Sequence, residues 1–126
     1  MDRLESEIRR RGLEVFARID HAAGARSAGI ELLPTELIIF GQARTGTSLM
    51  HITQTIGIDL PLKALAWEDS AGQRWLSYLE PFWIAERHGL GSETEAVVNA
   101  MGVTLRSLAK SATDAHQTLE LDRKII

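Results

Sequence analysis

A chain of 126 residues with 44% hydrophobic and 25% charged side chains fits one soluble globular domain that needs neither metal nor disulfide to fold. It contains no cysteine, which excludes disulfides, thiolate metal sites and a cysteine nucleophile together. A net charge of −3 and a pI of about 5.8 argue against general nucleic-acid binding, which calls for an excess of cations.

The first residues are too charged for a signal peptide, and no apolar run approaches the roughly 18 residues of a membrane span. A cytoplasmic protein with no membrane partner is the expectation. Residues 1–11 predict a helix with Leu4 and Ile8 inward, ended by Gly12. Arg9, Arg10 and Arg11 point around that helix rather than to one side, and cations at its last turn suit the dipole. Residues 13–19 alternate, placing Leu13, Val15, Ala17 and Ile19 on one well-buried side of a strand. Asp20 reads as the N-cap of a short helix over 21–28, whose alanines fit close packing on a sheet.

Leu37-Ile38-Ile39-Phe40, bounded by Pro34 and Gly41, predicts a strand buried on both faces in the middle of a sheet. A turn carrying Arg44 then leads to a helix over 45–56, capped by Thr45 or Thr47, with Leu49, Ile52 and Ile56 on one stripe. Residues 62–69 and 73–79 form a hairpin around Ser70-Ala71-Gly72, weighted by Trp67, Trp75 and Tyr78. Pro81 opens a short helix that Gly89 stops. Ser92-Glu93-Thr94-Glu95 has the capping-box pattern and opens the longest helix. Its stripe of Val97, Met101, Leu105, Leu108, Ala112 and Ala115 is longer than one small sheet covers, and Gly102 would admit a close backbone. Residues 117–126 either fray or continue that helix. The whole chain, 1–126, reads as a single domain.

Three segments carry a likeness: Phe16-Ala17-Arg18-Ile19-Asp20-His21; Pro34 through Gly41 with Gly46-Thr47; and Leu60-Pro61-Leu62-Lys63 through Trp67-Glu68-Asp69. With Ser77-Tyr78, Pro81 and Arg87-His88-Gly89, they make the chain resemble the domain-of-unknown-function 302 family of small bacterial proteins over roughly residues 10–110. The resemblance implies an α+β fold: a twisted antiparallel sheet packed by helices on one face, similar in topology to half of a TATA-box-binding protein, to which the residues after Ser92 add a long C-terminal helix. It also implies a homodimer, and it supplies no reaction. Members of the family begin with a strand before the first helix, and this chain begins in the helix. An exposed sheet edge would then be covered by the C-terminal tail or by a second subunit.

Candidate chemistry is sparse. Asp20-His21 sets a carboxylate beside an imidazole, as in an oriented general base, although capping already gives Asp20 a role. Lys63 can point a cation into a cleft or lie on a solvent face. Arg44, before a helix start, suits an anion, but the surrounding residues lack the ending of a phosphate loop. His88 closes a short helix, and Tyr78 adds a polar tip to the hairpin. No histidines have zinc spacing, and Ser77 sits in no nucleophile elbow, so neither a metal, a cofactor nor a serine hydrolase is expected.

The expectation is a homodimeric binding or structural module with a small polar pocket, its ligand groups drawn from His21, Arg44, Lys63, Tyr78 and His88. His21, Lys63 and Tyr78 are expected in one cleft. The alternative is a small cofactor-free enzyme using Asp20 and His21 as an acid–base pair.

Overall fold

The computed structural model describes residues 1–113 and 120–122. Helix α1, Asp2–Arg10, buries Leu4 and Ile8, one turn apart. Strand β1, Glu14–Asp20, runs antiparallel to β2, Thr35–Gly41. Between them α2, His21–Ser27, starts at Asp20, whose Oδ1 accepts a hydrogen bond from the Ala23 amide at 2.9 Å. Helix α3, Ala43–Ile52, leads through a 3-10 turn, Gln54–Ile58, to β3, Leu62–Glu68. Strand β4, Arg74–Tyr78, completes the hairpin. Helices α4, Pro81–Arg87, and α5, Glu95–Thr113, follow.

The four strands form an antiparallel meander in the order β1-β2-β3-β4. A short strand β5, Glu120–Asp122, pairs in parallel with β4 on its outer edge. One face of the sheet carries the core. Ile38 and Phe40 of β2, Leu62 and Ala64 of β3, and Leu76 and Tyr78 of β4 meet Leu4 and Ile8 of α1, Ile84 of α4, and Leu105 and Leu108 of α5. Register explains the selection: Phe40 lies opposite Leu62, Ile38 opposite Ala64, and Ala64 opposite Tyr78, so all six point the same way.

The other face is different. Ile19, Leu37, Ile39, Lys63, Leu65, Trp67 and Trp75 share it, and all remain at least partly exposed. Of the β1–β4 side chains on this face, only Ser77 is buried. Trp67 and Trp75 stack there with ring centroids 5.8 Å apart, and Trp67 Nε1 donates to Ser77 Oγ at 2.8 Å.

Several expectations change. β2 is central but buried on one face only, because Leu37 and Ile39 lie on the open face. β1 is an edge strand, so its Ile19 is exposed, and a bulge between Val15 and Ala17 shifts its register. α2 buries only Ala22 of its alanines. α3 starts at Ala43, earlier than Thr45, without a side-chain cap. It also stops four residues short of Ile56: Thr53 is extended, and the following turn brings Gly57 against Met50, where an added Cβ would sit 3.0 Å from Sδ. Ile56 still reaches the core, from the 3-10 turn. The Ser92 capping box does not form. Ser92–Thr94 takes a 3-10 turn instead, in which the Thr94 hydroxyl donates to the Gly91 carbonyl. α5 buries Val98 and Ala109 in place of Val97 and Ala112. The nearest atoms to a Cβ at Gly102 belong to Arg106 of the same helix, so this glycine admits a guanidinium rather than another helix. Ala115 and most of the tail lie outside the described residues.

Arg18 ties α1 to the sheet. Its guanidinium reaches Asp2 Oδ1 at 2.7 Å, Glu5 Oε1 at 2.9 Å and Glu36 Oε2 at 2.8 Å. The arginine holds the Asp2 and Glu5 carboxyls below their usual range, first through its hydrogen bonds to them.

Candidate functional site

Two of the predicted polar residues, Lys63 and Tyr78, line one depression where β3, β4 and α4 meet, Tyr78 with its side chain packed in the core, and His88 borders it through Asp59. This depression of about 300 Å³ on the open side of the sheet is lined by Leu37, Asp59, Lys63, Leu65, Ser77, Tyr78, Leu79, Trp83 and Arg87. Lys63 enters it because alternation along β3 puts residue 63 opposite Ile39, on the face away from the core. Its Nζ donates to the Pro61 carbonyl at 3.0 Å and to the Asp59 carbonyl at 3.3 Å. Burial lowers the Lys63 pKa, and the nearby Asp59 charge partly restores it. An ammonium has three donors, so two carbonyls leave one hydrogen for a ligand.

Asp59 is the hub that the sequence did not reveal. His88 Nε2 donates to its Oδ2 at 2.6 Å, and both side chains are nearly buried, at 12% and 13% exposure. Arg87 Nη1 lies 3.7 Å from Oδ1 of the same carboxylate, and its guanidinium stands 5.4 Å from the centre of the Trp83 ring. The cluster thus sets two cations, Lys63 and Arg87, near one carboxylate, with indole and leucine walls. Such a site suits a small polar molecule bearing an anionic group.

The remaining candidates lie elsewhere. His21 is exposed in the first turn of α2 and does not line this depression, while Asp20 caps the helix. Arg44 lines a separate shallow recess with Gly12, Glu14, Gly41, Gln42 and Ala43. Among the described residues, no group of three or more His, Asp or Glu side chains is placed to hold a metal. No helix among them is long and apolar enough to cross a membrane.

The chain is similar to two fluoride channels of Brucella. It is 46% identical over 112 residues to "Fluoride-specific ion channel FluC 1" of Brucella suis, covering 89% of this chain and 44% of that protein. It is equally identical over the same length to "Fluoride-specific ion channel FluC 2" of Brucella melitensis, covering 42% of it. The chain therefore spans less than half the length of these curated relatives. Its fold matches the crystal structure of an uncharacterized conserved protein DUF302 from Bacillus stearothermophilus, with a TM-score of 0.75 over 88% of this chain and 86% of that one, at 12% identity. Residues 1–112 match the model of the family described as "Domain of unknown function DUF302", and the chain belongs to that family.

Proposed function

We propose that this chain is a binding module whose ligand is a small anion or a small molecule with an anionic group, held in the depression at Lys63. The observation that carries this reading is the Lys63 ammonium, half-buried in a depression that Arg87 also lines, with two of its donors fixed by backbone carbonyls. A cation held in this way is pre-oriented, and most of its ordering cost is already met before a ligand arrives. His88 and Asp59 hold the wall that carries Arg87.

The module works as a homodimer that pairs open sheet faces. Ile19, Leu37, Ile39 and Leu65 supply an apolar surface next to the depression, and a second copy over it would close the mouth of the pocket. In the Brucella relatives the matching stretch would then act as a ligand-responsive part of a larger protein, and fluoride becomes a natural first probe.

Thermal shift of the full chain with fluoride, formate, acetate and phosphate tests the ligand. At least one of them raises Tm in a saturable way, and Lys63→Met abolishes the rise. A panel that leaves Tm unchanged, or a rise that Lys63→Met retains, refutes the reading. Light scattering at micromolar concentration gives a dimer mass for the wild type and a monomer mass for Ile39→Glu. A monomeric wild type refutes the pairing.

A further inference from the structure

A second cavity, of about 360 Å³, opens between the start of β1, the N-terminal half of α3 and the middle of α5. Its walls are mainly apolar: Leu13, Phe16, Met50, Leu60 and Met101 among them. The β1 bulge sits at its rim, and Phe16, unpaired in the register, stays 44% exposed there. Gly41, Gln42 and Ala43 line both this cavity and the shallow recess that holds Arg44 and Glu14, so the two adjoin. Neither Arg44 nor Glu14 makes an ion pair or side-chain hydrogen bond among the described residues.

We propose that these two adjoining recesses together bind a single-chain amphiphile, with an aliphatic tail between Met50 and Met101 and a carboxylate head at Arg44. The tail follows from the wall chemistry: methionines adapt to flexible apolar chains, and no charged side chain lines the deep part. The head follows from charge complementarity, because an uncommitted guanidinium at the rim offers a planar pair of donors to a carboxylate. Glu14 shares the recess and opposes an anion, which gives the assignment a sign that can be tested.

Decanoate below its micelle concentration is the probe, read on the full chain by NMR with carbon-13 methionine methyl groups. The chain has three methionines, and Met1 lines a different cavity. The Met50 and Met101 signals shift in a saturable way while Met1 stays in place. Arg44→Gln weakens decanoate binding about fivefold, Glu14→Gln strengthens it, and neither changes the binding of decanol. Ala100→Phe, an exposed position on the α5 wall, blocks both probes. Three methionine signals that stay fixed, or that drift together without saturation, overturn the site. Decanol binding as tightly as decanoate, or Glu14→Gln weakening decanoate, overturns the head-group assignment. The wild-type titration alone is decisive if a variant fails to fold.

Discussion

Lys63 shows how one side chain links site and stability. Its pKa is lowered on folding, so the unfolded chain binds that proton more readily than the folded one. Stability therefore rises with pH between the lowered value and the ordinary 10.5, and the full destabilisation is present below both. Urea titrations from pH 8 to 10.5 should show this rise in the wild type and a flatter profile in Lys63→Met; identical profiles would contradict it. Asp69 works in the opposite sense. Its Oδ2 accepts from Trp75 Nε1 at 3.0 Å, and its Oδ1 accepts from the Ala71 and Gln73 amides, so its pKa falls below the usual carboxylate value, first through the indole bond. Its stabilising effect is present above pH 3.8 and is lost as pH falls through the lowered folded value. Asp69→Asn should remove that part of the acid slope, and a Tm-against-pH series from 5 to 2 reads it. The Asp20 cap was legible because donor and acceptor are three residues apart. The role of Asp59 was not, because its partner His88 lies 29 residues away and only the fold brings them together.

Local pattern identified the elements well and their exposure less well. The run Leu37-Ile38-Ile39-Phe40 has no polar residue to mark an open face, so periodicity alone could not separate a strand buried on both faces from one with an apolar surface. The hairpin was readable because Gly72, at φ +82°, sits in a turn that other residues enter at a cost. The family resemblance led correctly to an α+β domain with helices against the sheet, and the apolar stripe after Ser92 led to the long C-terminal helix. It could not place the bulge in β1 or the early stop of α3, which depend on packing between distant residues. Two substitutions in α5 test the packing. Leu108 is 1% exposed, so Leu108→Ala should cost about 2–5 kcal/mol, measured by urea denaturation. Gly102→Ala should instead stabilise by up to about 1 kcal/mol, because the new methyl meets only the movable end of Arg106. A loss of more than that would mean the Arg106–Glu80 pair, 3.5 Å apart, matters more than helix propensity.

At the scale of the molecule, the acidic balance predicts no measurable binding to random duplex DNA near physiological salt, since few phosphates could be neutralised. Micromolar affinity with a steep salt slope in a fluorescence-anisotropy titration would contradict it. The sheet's two rims lead to a different consequence. One rim is β1, bent by its bulge and carrying the charges of Glu14, Arg18 and Asp20; the other is the three-residue strand β5, Glu120–Asp122, which covers β4. A sheet that recruits neighbours through its rims can grow without limit, whereas one that meets a copy flat against itself has used its contact surface after a single event. The face-to-face pairing proposed above would therefore give self-association through the sheet a ceiling of two. Raising its concentration should change the ratio of singles to pairs without producing a ladder of larger sizes.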